Sequence, residues 1–151
     1  MIGARTIRTQ TDILGEIKQR NITNPYSFAH TIEDITLSQD AYFVRAYNQH
    51  KTGRWMISID DVSSFSSVDD FVRKTALPVI DDFGSVMKPN KMVLVKVPKG
   101  SVVRKSVARP QDWAGQGHLP GGATQYEILN FDWQKMENWF KDIGDIIEFF
   151  K

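Results

Sequence analysis

The chain has no cysteine. That excludes disulfides, thiol chemistry and cysteine-based zinc sites. It assigns no compartment, because a reducing cytosol and a chain that must unfold to cross a membrane both suit the absence. Histidine is scarce: His30, His50 and His118 lie far apart and form no HExxH-like pair, so no metal site is expected. No apolar run approaches the roughly 18 residues that a spanning helix needs, so no membrane-spanning segment is expected. The opening, Met1 to Thr6, has no apolar signal region and reads as no export leader. Repeats, low-complexity tracts and linker-like stretches are missing too, which leaves a single domain over 1–151. Nor is there an excess of one charge, and a net charge of +1 predicts no partner by itself.

What is present has the proportions of a globular domain. At 151 residues, 41% hydrophobic and 25% charged, the chain is long enough to bury a core without staples. Residues 9–20 read as a short helix with Ile13, Leu14 and Ile17 on one side. A second helix over 27–38 is expected after Asn24-Pro25, since proline suits a helix start. Tyr42 to Tyr47 is a strand, Lys51 to Arg54 a turn, and Trp55 to Ile59 a second strand. Ser67-x-x-Asp70 resembles a capping box opening a helix that ends before Pro78. Met92–Val97 and Ser101–Val107, joined by Pro98-Lys99-Gly100, read as a strand hairpin, and 124–129 as a further strand. From about 132 to 150, Trp133, Met136, Trp139, Phe140, Ile143, Ile146, Ile147 and Phe150 recur at 3–4 spacing, which predicts a closing amphipathic helix packed on the core. The whole is α+β: helices early and late, a mixed or antiparallel sheet between.

The most informative stretch is 113–128. A Gly/Pro-rich loop runs into a strand carrying Gln125-Tyr126-Glu127. Residues two apart on a strand share a face, so Gln125 and Glu127 point one way, Tyr126 and Ile128 the other. Glycines there admit either a ligand or another backbone. The pattern therefore reads as a site delivering an amide and a carboxylate together, or as a hairpin loop and an edge strand with a solvated face.

Between Asp82 and Asp112 there is no acid, whereas Lys88, Lys91, Lys96, Lys99, Arg104, Lys105 and Arg109 are present. On a hairpin these make a basic surface, either solvated or meeting an anionic partner. Little aromatic interleaving accompanies it, which argues against nucleic acid as the partner. Arg45, inside an apolar strand, either faces solvent or is buried against an anion that suits its planar fork. Arg54 beside Trp55 offers a cation next to an aromatic face, suited to a nucleotide or simply a hairpin end. His118 admits a ribonuclease reading, with no partner histidine to name.

Together these residues resemble a family. Pro120-Gly121-Gly122 with Gln125-Tyr126-Glu127 is similar to the C-terminal signature of the tuberculosis necrotizing toxin family, a Pro-Gly-Gly-Gly-x-Gln-Tyr run. Arg45-Ala46-Tyr47 and Gly53-Arg54-Trp55 resemble its Arg-aromatic-Gly segment and Gly-x-aromatic turn. Ala76-Leu77-Pro78 resembles its Arg-Ala-Leu-Pro, and Val103-Arg104 to Pro110 the strand before its Ala-x-Pro-Trp. The similarity spans about 42–129; residues 1–40 and 132–150 have no counterpart. The chain departs in having two glycines before Ala123, a longer loop at 111–119, and Thr75 where an arginine is expected, with Arg73 the nearest substitute.

The resemblance implies an ADP-ribosyltransferase-like fold and hydrolysis of NAD to nicotinamide and ADP-ribose, with NAD as substrate and no separate cofactor. It implies a toxin domain of polymorphic or contact-dependent inhibition systems, delivered into a target-cell cytoplasm and neutralised at home by an immunity protein. Arg45 would bind the pyrophosphate, with Arg54 or Arg73 as further clamps. Trp55 would stack near the nicotinamide or its ribose, and Gln125 and Glu127 would act at the ribose. The Gln-x-Glu also resembles the ADP-ribosyltransferase turn motif, so transfer to a protein is the alternative. A ribonuclease and a non-enzymatic binding module remain further alternatives.

Overall fold

The computed structural model describes residues 3–81 and 83–150. Met1 and Ile2, which start the segment read for a leader, Asp82, which bounds the acid-free stretch, and Lys151 lie outside the described residues. The elements in order are β1 (Gly3–Ile7), α1 (Gln10–Arg20), β2 (Glu33–Leu37), β3 (Ala41–Tyr47), β4 (Trp55–Ser58), α2 (Val68–Thr75), β5 (Lys91–Val97), β6 (Val102–Val107), β7 (Gln111–Trp113), β8 (Gly117–Leu119), β9 (Thr124–Ile128), α3 (Trp133–Met136) and β10 (Phe140–Asp145). Eight strands form one sheet in the order β1-β2-β6-β9-β4-β3-β5-β10, and β7 and β8 form a separate ribbon. The fold is mixed α/β with a mostly antiparallel sheet, as the α+β expectation has it.

This sheet cannot be flat. Strands β2 and β3 are four places apart in the sheet, about 19 Å at the usual strand spacing. The chain from Leu37 to Ala41 reaches at most about 14 Å even when fully extended. Residues 98–101 likewise carry β5 to β6 across four places. The two crossovers bond to each other: Leu37 N–H donates to Ser101 O (2.9 Å), Gly100 N–H to Leu37 O (2.8 Å) and Lys99 N–H to Asp40 Oδ1 (2.9 Å). The sheet therefore folds over on itself. One core, with Ile35, Val103 and Ile128 from one half and Phe43, Val95 and Phe140 from the other, fills the space between. The opposite face carries two smaller cores, one under α2 and one under α1.

The hinge between the halves is β4. Trp55 and Met56 pair with Glu127 and Tyr126 of β9, whereas Ile57 and Ser58 pair with Val44 and Phe43 of β3. Four residues thus serve two neighbours in turn, and β3 and β4 part beyond Val44. A cleft opens at that fork.

Four expectations are corrected. Residues 27–38 are not a helix: Tyr26 bridges Ala108, Ser27 N–H donates to Val107 O (2.9 Å), and 33–37 form β2, where Ile35 and Leu37 alternate inward. Pairing to β6 outweighs the helix-start signal of Pro25. The closing helix over 132–150 is not formed either. It is replaced by the single-turn α3, short 3-10 turns and the edge strand β10 on β5, interrupted by a bulge before Gly144, whose φ of 131° suits glycine. An apolar β5 edge needs a partner, and that demand overrides a 3–4 spacing that leaves Trp133 and Ile147 exposed. Consequently the N-terminal part holds one helix, with strands on either side of it. Lastly, 92–107 is not a hairpin, since β5 pairs with β3 and β10, and β6 with β2 and β9.

Candidate functional site

A cavity of about 620 Å³ occupies the cleft at the fork. Its floor is the splayed part of β3 and β4 with Gln125 of β9; one wall is the end of α1 and residues 22–25, the other the end of α2 and residues 76–78. Arg20, Arg45, Arg54 and Arg109 line it, with the indoles of Trp55 and Trp113, and no aspartate or glutamate does so among the described residues.

The local sequence explains the walls. Thr9 Oγ1 caps α1 by accepting from Asp12 N–H (3.2 Å), and the helix ends at Asn21 in the left-handed region. Arg20 therefore sits on the last turn, beside the cavity. Ser67 Oγ caps α2 by accepting from Asp70 N–H (3.0 Å), and the helix stops at Ala76 with φ 52°, ahead of Pro78. Trp113 Nε1 donates to the Ala76 carbonyl (2.9 Å), which pins the β7–β8 ribbon against this wall.

Arg45 sits at the fork itself. Its Nη1 donates to Trp55 O (3.1 Å) and Nη2 to His50 O (3.2 Å), while Nε is buried without a partner. No carboxylate pairs with it among the described residues. Burial pushes its pKa down to about 10, so the charge is held against the preference of its surroundings. A Cβ on Gly53 would lie 2.3 Å from the guanidinium carbon, so only glycine admits the side chain in this position.

On β9, Gln125 and Glu127 share the face opposite Tyr126 and Ile128, which join the inter-sheet core. Their surroundings differ. Gln125 lines the cavity, and its Nε2 donates to Pro25 O (3.1 Å) and lies 3.2 Å from Ser106 Oγ. A carbonyl can only accept, so Pro25 fixes the amide's orientation, and Oε1 takes no hydrogen bond among the described residues. Glu127 is fully buried and does not line the cavity. Its Oε2 accepts from Arg20 Nη2 (2.8 Å) and Arg54 Nη1 (3.3 Å), and its Oε1 accepts a short hydrogen bond from the Tyr26 hydroxyl. Burial, with Glu127 beside it, pushes the Tyr26 phenol up to about 12.

The network continues into Arg104, which stands opposite Glu127 on β6 and is 1% exposed. It binds Asp34 (2.7 Å), Glu16 (3.0 Å) and the Tyr26 hydroxyl (3.3 Å). Burial works against its charge, yet Asp34, Tyr26 and Glu16 outweigh that and raise its pKa. The expected basic surface is thereby reduced in part. Arg104 is internal, Lys88 pairs with Asp69, Lys91 with Asp145 and Lys96 with Asp40.

The glycine loop receives another backbone. Gly121, at φ 66°, would place a Cβ 2.4 Å from Ala108 O; its N–H donates to Arg73 O and that of Gly122 to Ala108 O, both at 3.0 Å. The loop thus fastens the end of β6 to α2. Arg73 itself is exposed and outside the cavity lining, contributing its carbonyl to that loop. His118 bonds Asp112 (2.9 Å) on the exposed β7–β8 ribbon. The cavity thus brings together Arg45, Arg54, Trp55 and Gln125, with Glu127 beneath and Arg73 outside. Sequence reasoning missed Arg20 and Arg109 as lining residues. Arg20 carried only the signal of a helix C-terminal charge, and Arg109 was absorbed into the basic run.

No protein-family model, curated protein or solved structure matches this chain.

Proposed function

We propose that the chain is a toxin-type domain of ADP-ribosyltransferase-like fold that hydrolyses NAD to nicotinamide and ADP-ribose. The observation that carries this reading is the lining of the cavity: four guanidinium groups, two indoles and an oriented amide, with no carboxylate among the described residues. Its volume of about 620 Å³ lies within the range of small-molecule sites. Guanidinium forks suit a pyrophosphate, and indoles suit flat bases.

The chemistry asks little of the protein beyond this. Nicotinamide leaves as a neutral molecule from a cationic N-glycoside, so no general acid is required. Water adds to the ribose carbon and a proton is released. The free Oε1 of Gln125 is an acceptor, suited to orienting that water or the ribose 2′-hydroxyl and to favouring positive charge on the ribose. Hydrolysis is favoured over transfer because Glu127, the acid of the Gln-x-Glu, is sealed by Tyr26, Arg20 and Arg54 and has no free edge for an incoming acceptor. On the same reading the domain acts in the cytoplasm of a target cell after delivery, and an immunity protein is its expected macromolecular partner.

Purified domain mixed with NAD should release free nicotinamide and ADP-ribose. Gln125→Ala should lower that rate by about a hundredfold or more with the melting temperature little changed. Undiminished turnover would remove Gln125 from the mechanism; no turnover by the native chain would end the reading. ADP-ribose from labelled NAD appearing on a protein would select the transferase.

A further inference from the structure

We infer that Glu127 is a positioning residue, which aims Arg20, from the α1 wall, and Arg54, from the floor of the cleft, at one anion seat in the cavity. This rests on the reading of the cavity as a dinucleotide site, and it moves Glu127 from the reacting groups to their support.

The geometry has three parts. One carboxylate oxygen, Oε2, holds two guanidiniums, at 2.8 and 3.3 Å. Those arginines come from elements far apart in sequence, the end of α1 and the turn before β4, and both line the cavity. Glu127 is fully buried, whereas the arginine side chains are 26% and 36% exposed, so the acid is the fixed end and the cations face outward. The Tyr26 hydroxyl holds the other oxygen, and Arg104 in turn holds that hydroxyl. Two positive charges against one negative leave the cluster with a surplus of +1 toward the cavity. The Arg54 guanidinium also lies 5.7 Å from the Phe131 ring centroid, which restricts it on its other side. An unheld arginine is a flexible chain that must be ordered by whatever binds it; these two are ordered beforehand.

A positioning role and a merely neutralising one predict opposite signs. Glu127→Gln removes a negative charge beside the seat. If the acid only neutralises, anions should bind more tightly. If it aims the arginines, they should bind more weakly despite the added positive charge. The probe is inorganic pyrophosphate, titrated calorimetrically into the intact chain. Glu127→Gln is expected to raise its Kd by about tenfold or more; an equal or lower Kd overturns the proposal. Asp34→Asn, which removes a charge from Arg104 and Arg8 and touches neither Arg20 nor Arg54, is the stability control: it should lower the melting temperature and leave Kd alone. An equal loss of affinity in that control would show a general structural effect and overturn the aiming role. Should Glu127→Gln fail to fold, Arg54→Lys and Arg20→Lys keep the charge, lose the fork and should each weaken pyrophosphate; unchanged affinity in both overturns the proposal. Pyrophosphate binding by a native chain that releases no nicotinamide would end the NAD reading and leave the aiming role standing.

Discussion

Arg45→Met is the most informative single change, because function and stability should move in opposite directions. Burial holds the guanidinium at a pKa of about 10, well below its ordinary value. That difference is a penalty on the charged form of about 3 kcal/mol. By linkage, a depressed cation destabilises the fold wherever it stays protonated, below about pH 10. The strain is relieved only as pH rises from there toward the ordinary guanidinium range. Methionine fills a similar path with no charge to bury, but it forfeits the bonds to Trp55 O and His50 O. Each is worth about 0.5–1.5 kcal/mol net, and the exposed His50 segment regains water. The balance is a change between zero and about 2 kcal/mol in favour of the variant. For a chain of this size that raises Tm by at most about 8 °C.

The internal comparison is Arg104→Met. That guanidinium is also buried but is paired with Asp34 and Glu16, so its removal strands their charges and should cost about 3–5 kcal/mol. Thermal and urea unfolding of both variants, with nicotinamide release from NAD, tests the pair. Arg45→Met should keep or gain stability and lose about a hundredfold or more in turnover. If it loses as much stability as Arg104→Met, Arg45 is a structural tie and not a seat awaiting an anion. Full activity in a stable variant refutes the reasoning equally.

Three more outcomes follow from single contacts. Gly53→Ala places a methyl 2.3 Å from the Arg45 guanidinium, the movable end of a long side chain, so Tm should shift little while the KM for NAD rises. Gly121→Ala meets the fixed Ala108 carbonyl at a positive φ, so urea unfolding should show a loss of about 2 kcal/mol or more; a neutral effect would deny the loop its fastening role. In an ultraviolet titration, Tyr26 should ionise only near pH 12, and Glu127→Gln should bring it down, since burial and that carboxylate both hold the phenol protonated. A raised phenol pKa contributes stability below pH 10 that is lost as pH climbs toward 12, so the variant should lose less stability than the native chain across that range.

Local signals were sufficient wherever the determining interaction is local. The Ser67-x-x-Asp70 cap did open α2, and the alternation of β9 did separate Gln125 and Glu127 from Tyr126 and Ile128. The signals failed where a distant partner decides. The 3–4 spacing of 133–150 was compatible with a helix until the bare edge of β5 claimed 140–145 as a strand. The Pro25 helix start yielded in the same way to a β6 edge some 80 residues away, and the apparent hairpin at Pro98-Lys99-Gly100 is a crossover because Leu37 and Asp40 receive it.

The site divides along the same line. Residue chemistry and order in the chain were enough to nominate Arg45, Arg54, Trp55 and Gln125, because guanidinium, indole and amide carry their capacities wherever they stand. Which groups remain free to use those capacities is a matter of neighbours. Glu127 and Arg104 looked like a catalytic acid and a surface base, and the folded chain buries both around the Tyr26 hydroxyl. Arg20 looked like an ordinary helix end, and it faces the cavity. Burial and pairing are properties of three-dimensional proximity, so only the fold could decide them.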